Sequence, residues 1–256
     1  MTEGWRGWDE YAPFYDWENA RTLQRRDVAF WQRLAAAQDG PVLELGCGTG
    51  RIAVPVARAG ARIVGIDRSE EMLSRARARV LRGRLSRRLT LVRGDIRDLP
   101  FTTRRTFSAV LAAYGILQSL TRERDLIRTF ASVARVLRRG GLFAIDVVPD
   151  LPNWDEYRNR TSLSGRHGRR GTLTLVETVR QDRGKRLTIF DQEYRWRSGK
   201  QRRVHRFSLT FRTLSVPQMT RRLERAGFRI LAVLGDYQGG PWDPRADVWI
   251  ILAAKR

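Results

Sequence analysis

Between residues 41 and 148 the chain alternates short apolar runs with mixed amphipathic stretches. The runs Pro41–Leu45, Ala61–Ile66, Leu89–Arg93, Phe107–Ala113 and Leu142–Val148 are dominated by Val, Ile, Leu, Phe and Ala. That composition suits strands buried on both faces. The intervening stretches read as helices: about 51–59, one capped by Ser69 and running to about Leu81, and about 121–137, stopped by Gly140-Gly141. Strands spaced by helices predict right-handed βαβ units and a parallel sheet covered on both faces.

The flanks follow other periods. The first forty residues are polar and aromatic and predict one or two short helices, with Tyr11 and Tyr15 on one helical face. After Pro149 a turn-rich stretch to Gly171 leads into three alternating segments, Thr172–Val179, Arg186–Arg197 and Val204–Leu214. No helical stretch separates them, so they predict an antiparallel meander. In the last segment His205, Phe207, Leu209 and Phe211 share a face. Ser215 and Pro217 then open a helix that Gly227 ends, and Phe228–Leu234 and Asp247–Ala253 predict two closing strands.

Composition narrows the class. With 256 residues and 42% hydrophobic content the chain can bury a full core, which excludes a largely disordered protein. The longest apolar run, Ser108–Leu117, is too short to span a bilayer, and the start lacks the pattern of a signal peptide. Cys47 is the single cysteine, so no disulfide, thiolate metal cage or redox pair is expected. The cytoplasm is the simplest location. The net charge of +22 first suggests nucleic acid. Yet only Lys185, Lys200 and Lys255 are lysines, and near-exclusive arginine reads better as coding bias than as a phosphate-binding surface. The acid-free stretch Ser74–Arg93 is rich in arginine but lacks the aromatics that stack bases.

The chemistry concentrates in Val42-Leu-Glu-Leu-Gly-Cys-Gly-Thr-Gly50. A strand, a glycine turn and a helix present backbone N–H groups to a ligand. A dinucleotide fingerprint would place a third glycine at 51, where this chain has Arg51, and Glu44 would repel a pyrophosphate. Glu44 suits an ammonium instead. Asp67 can accept from both ribose hydroxyls, Asp95 from an exocyclic amine, and Ile96 can pack on a purine. Together they describe a phosphate-free nucleoside with an amino-acid tail, S-adenosylmethionine.

These motifs, with Gly65-Ile-Asp67, Gly94-Asp-Ile96 and Arg135-Val-Leu-Arg-Arg-Gly-Gly141, resemble those of class I S-adenosylmethionine-dependent methyltransferases. The resemblance covers about Val42–Val148 and implies an α/β, Rossmann-like, seven-stranded, mostly parallel sheet with an antiparallel closing strand. It implies that Gly46 and Gly48 border the methionine moiety, that Asp67 takes the ribose and that Asp95 and Ile96 frame the adenine. Arg68 and Met72 would line the adenine pocket, the backbone at Ala112 would approach the methionine end, and Tyr15 would close over the cofactor. The domain reading is then a helical lid (1–40), the cofactor core (41–148), an antiparallel β insertion over the substrate (149–214) and a helix with a hairpin completing the sheet (215–256).

Absences narrow the acceptor. Ala112-Ala-Tyr-Gly115 is not the acid–Pro-Pro–aromatic motif of nucleobase amine methylation, and the only cysteine sits in the cofactor turn. The expected acceptor is a small molecule methylated on nitrogen or oxygen. The charge keeps a second class in view: an RNA-acting methyltransferase, or a nucleic-acid-binding protein with a vestigial cofactor site. Tyr114, His205 and Tyr237 are the polar groups expected to meet the acceptor, His205 as the base because its pKa lies near neutrality. The meander and the loop Asp236–Trp242 are expected to roof them.

Overall fold

The computed structural model describes residues 7–22, 27–102, 106–147, 155–168, 171–246 and 248–256. Readings that fell on Val148, Pro149 and Asp247 lie outside them. The helices are α1 (Trp8–Thr22), α2 (Val28–Ala36), α3 (Ala53–Arg58), α4 (Glu70–Arg82), α5 (Glu123–Val136) and α6 (Val216–Arg225). The core strands are β1 (Val42–Leu45), β2 (Ile63–Asp67), β3 (Leu89–Arg93), β4 (Phe107–Ala112), β5 (Leu137–Val147), β10 (Phe228–Leu234) and β11 (Trp249–Lys255).

These core strands form one seven-stranded sheet in the order β10-β11-β5-β4-β1-β2-β3. β1 to β5 run parallel, and β11 runs antiparallel to both neighbours. Every residue of β1 and β4 is buried, as befits central strands with helices on both faces. Alternation sends Leu43 and Leu45 to one core and Val42 to the other. On α5, Leu126, Phe130 and Val133 recur at helical spacing and are covered by the sheet. Ser69 caps α4 as expected, accepting the Met72 N–H at 3.1 Å.

Residues 157–212 form a separate antiparallel sheet of β6 (Tyr157–His167), β7 (Gly171–Asp182), β8 (Leu187–Ser198) and β9 (Gln201–Arg212), in that order. The meander therefore has four strands, not three. β6 was read as turns because it is polar apart from Leu163 and Tyr157. Its pairing with β7, broken by two register shifts, supplies what its side chains do not. A second correction concerns Gly140-Gly141. α5 ends at Val136, and the glycines lie in an irregularity of β5 where Gly140 has φ +70°. The inner face of the second sheet (Leu173, Leu175, Tyr194, Leu209) packs on Tyr11, Phe14, Tyr15 and Trp17 of α1. α1 also contacts α4, so it lies between this sheet and the core. No helix among the described residues is long and apolar enough to cross a membrane.

Candidate active site

The turn after β1 builds the site. Gly46 has φ +62°, and a Cβ there would stand 2.5 Å from Ile116 Cδ1, so a side chain is excluded twice over. Gly48 has φ +53°, and the position of its absent Cβ faces Met72 and Tyr15 at 4.0 Å. The Gly48 N–H donates to Asp67 Oδ2 (2.7 Å) and the Ser69 N–H to Asp67 Oδ1 (2.9 Å). Asp67 thus stitches the glycine turn to the end of β2. Cys47 fills the space above Gly65, where a Cβ would meet its Sγ at 2.8 Å, and burial pushes its thiol well up.

This turn opens on a cavity of about 550 Å³. Glu44, Gly46, Gly48, Asp67 and Met72 line it, as do Arg68, Asp95, Ile96 and Tyr15. Ala112 does not. It is fully buried inside β4, and the chain turns toward the cavity one residue later, at Ala113 and Tyr114. The N-terminal residues Trp8, Asp9 and Glu10 cover one side, and Phe211 is the contribution of β9.

The electrostatics divide the cavity. Glu44 is 3% exposed, and its Oε2 has no hydrogen-bond partner. Burial pushes its carboxyl up to about 8, against the pull of Arg51 and the Ala53 N–H. Burial also raises Asp67, against its backbone hydrogen bonds. Asp95 is the reverse case. Partial burial raises it, but Arg97, bonded at 2.7 Å, and the weaker contact of Arg68 at 3.2 Å hold it below the usual carboxylate range.

Arg51, read from sequence only as a departure from the dinucleotide pattern, is a cavity residue. It forms a bidentate pair with Asp27 at 2.7 and 2.8 Å. It lies 5.0 Å from the Tyr114 ring, and its charge pulls down the phenol of Tyr15, which burial nonetheless pushes up to about 12. The missed signal was a cation at the far end of the turn that follows the strand of Glu44. The cavity's other arginines, Arg68, Arg93 and Arg97, each stand within 4 Å of a carboxylate, so among the described residues no free basic stripe marks its mouth.

The three acceptor-side candidates are not brought together. Tyr114, at φ +61°, lines the cavity opposite Tyr15, with ring centroids 6.4 Å apart. His205 lies on the expected strand face, but it is exposed, packs 5.1 Å from Phe14 and does not line the cavity. Its strand reaches the cavity only at Phe211, six positions later, which removes the geometric basis for His205 as the base. Tyr237 donates to the buried Asp146 (2.8 Å), which also accepts the Gly115 N–H (2.8 Å). Its loop packs on Phe30 of α2 and does not roof the cavity. Tyr237 acts on Tyr114 at one remove, through the left-handed Tyr114-Gly115 turn that Asp146 holds.

Residues 42–141 match the model of a methyltransferase domain family. The chain is 33% identical over 137 residues to the putative methyltransferase YqeM of Bacillus subtilis, an alignment spanning 54% of this chain and 49% of that relative. It is 26% identical over 243 residues to the cypemycin N-terminal methyltransferase of a Streptomyces species, covering 94% of both. Its fold matches an S-adenosylmethionine-dependent methyltransferase from Clostridium acetobutylicum with a TM-score of 0.78 at 17% identity, over 96% of this chain and 98% of that one.

Proposed function

We propose, from the premise that this chain carries a class I S-adenosylmethionine-dependent methyltransferase core, that it moves the cofactor's methyl group to a nitrogen or oxygen of a small-molecule acceptor. The observation that carries this reading is the unpartnered Oε2 of buried Glu44 beside the glycine turn. An unmet acceptor inside a cavity is costly unless a donor fills it, and the cofactor's ammonium is such a donor. The other lining residues fit the same ligand. Gly46 and Gly48 leave the backbone open, Asp67 keeps lone pairs for the ribose, and Met72 and Ile96 offer apolar surface to the adenine. Arg51 matches the carboxylate.

Bound S-adenosylmethionine supplies an electrophilic methyl on a sulfonium, released as a thioether when the bond to the acceptor forms. The chain's part is alignment and exclusion of water. Tyr15 and Tyr114 close the methionine end, and α1 acts as a lid, fastened by Asp16 to Thr49 (2.7 Å) and Arg79 (2.6 Å). Tyr114 is the polar group placed to meet the acceptor. The alignment over most of the chain with an N-terminal methyltransferase supports nitrogen over oxygen, and the paired arginines around the cavity speak against RNA. A methyl-release assay across a metabolite panel that includes total RNA tests the reading. Label in a small molecule is expected, and label in RNA alone would overturn it.

A further inference from the structure

Once the cofactor is given its share of the cavity, one end of the lining has no ligand. The nucleoside takes Asp67, Met72, Asp95 and Ile96, and the amino-acid tail takes Glu44, Gly46, Gly48 and Arg51. Left over beside the tail are Tyr114, Ile116, Ser119 and Leu120, the last three on or just after a 3₁₀ turn (Ile116–Ser119), and Phe211 of β9. These residues stand together. The 3₁₀ turn follows Tyr114-Gly115 directly, β9 packs against it, and Ile116 is close enough to Gly46 that a Cβ there would meet its Cδ1 at 2.5 Å. They therefore adjoin the methionine end, where the methyl group emerges.

Among the described residues Phe211 is the only one of the second sheet that lines the cavity. It is half-buried, and both sheet and core hold it. Phe190 of β8 meets its ring edge-to-face at 5.8 Å. The next residue, Arg212, pairs at 2.8 Å with Glu123 of α5, which also takes Arg222 of α6 at 2.7 Å. A ring fixed from two sides is a pre-organised wall. Ile116 and Leu120 extend its apolar surface, and the Ser119 hydroxyl donates to the Ile116 carbonyl at 2.6 Å. The charged lining residues are engaged elsewhere: Arg68 and Arg97 on Asp95, Asp9 on Ser69 at the ribose side, and Arg51 on Asp27. Glu10 follows Asp9 at the exposed start of α1. The Tyr114 hydroxyl is the polar group that faces this end.

We infer that Phe211 is the specificity-determining wall of the acceptor subsite, and that the acceptor is an amine borne on a flat apolar ring, its nitrogen toward Tyr114. This rests on the methyltransferase reading and deepens it by naming the substrate class. A planar ring laid against Phe211, Ile116 and Leu120 removes apolar surface from water and meets an aromatic face. A polyhydroxylated body in the same place would give up its water for side chains that offer its hydroxyls no partner. Such a subsite therefore selects by the acceptor's body, while the Tyr114 hydroxyl sets the direction of its nitrogen.

The test titrates the full chain, saturated with S-adenosylhomocysteine so that no turnover intervenes, with benzylamine and with glucamine, a polyhydroxylated primary amine, by calorimetry. Benzylamine is expected to bind saturably and roughly tenfold or more tighter than glucamine. Phe211→Ala should weaken benzylamine by roughly tenfold while the affinities for glucamine and S-adenosylhomocysteine stay as in wild type. The unchanged S-adenosylhomocysteine affinity separates loss of the wall from loss of the fold. If Phe211→Ala melts early, Phe211→Leu, which keeps most of the volume but not the flat face, carries the same comparison. Glucamine bound as tightly as benzylamine, no saturable binding of benzylamine, or a benzylamine affinity that the substitution leaves unchanged overturns the assignment. In the metabolite panel, transfer confined to polyhydroxylated acceptors would overturn it and leave the methyltransferase reading standing, whereas no transfer to any small molecule would overturn the reading itself.

Discussion

Substituting Glu44 by Gln separates a cofactor-binding carboxylate from a merely buried one. The amide keeps the shape and can still accept the Ala53 N–H. In the free protein burial holds the Glu44 carboxyl up to about 8, so at pH 7 it is about 0.9 protonated. The cofactor's amino group, at an ordinary α-amino pKa of about 8, is also mostly protonated. When the two meet they share one proton, so binding releases about 0.8 proton at pH 7. At pH 9 both free partners have lost most of their protons, so binding takes up a similar amount, and the sign reverses near pH 8. Affinity is the poorer readout. Ionising Glu44 at pH 7 costs about 1.4 kcal/mol, which offsets much of the 1.5–3 kcal/mol of a charge-assisted bond. Calorimetry in buffers of different ionisation enthalpy counts the protons directly. Wild type should release close to one proton at pH 7 and Glu44→Gln almost none. Equal proton counts in the two proteins, or a wild-type count near zero at pH 7, would refute the placement of the ammonium at Glu44. The same shift has a stability side. The folded state binds the extra proton between about pH 4.5 and 8, so this group's contribution falls as pH rises through that window, and the Gln variant should lose that slope.

Other perturbations follow from distances given above. Gly46→Ala would press a Cβ against Ile116 at 2.5 Å in a left-handed backbone, so a cost of about 1–3 kcal/mol in denaturant unfolding is expected, with cofactor affinity lost alongside. Asp67→Asn should weaken S-adenosylmethionine by about 1.5–3 kcal/mol, and an unchanged dissociation constant in a folded variant would remove Asp67 from the ribose site. Tyr237→Phe strips one donor from Asp146, whose carboxyl burial pushes up to about 6. Because the lost bond favours the ionised carboxylate, the variant should be less stable by about 1.5–3 kcal/mol at pH 8 and by less at pH 5, and a pH-independent difference would show that Asp146 does not titrate there.

The parallel core was legible because its signals are local. Apolar runs, Ser69 as a cap and glycines after β1 each point to the same arrangement, and motif spacing placed nine of the ten expected cofactor residues on one cavity. Ala112 failed by one position, since sequence fixes a strand's existence better than its last residue. β6 was illegible because its stability comes from backbone pairing with β7 and not from an apolar face of its own. The acceptor side was misjudged for a related reason. His205 shares a strand face with Phe211, but period-2 alternation gives the face and not the distance along it, and only Phe211 reaches the cavity. Arg51 was overlooked because its partner, Asp27, lies 24 residues away in sequence and meets it only through tertiary packing.

The claim at the centre of this account is methyl transfer to a small-molecule amine from a cofactor held between Glu44 and Asp67. The direct measurement incubates the full chain with methyl-labelled S-adenosylmethionine, a panel of primary amines with their hydroxyl counterparts, and total RNA, and follows the label by mass spectrometry. Label on amine nitrogen, reduced roughly tenfold or more in Asp67→Asn at limiting cofactor, is the expected result. Label confined to RNA, or transfer to amines that Asp67→Asn leaves unchanged, would contradict it.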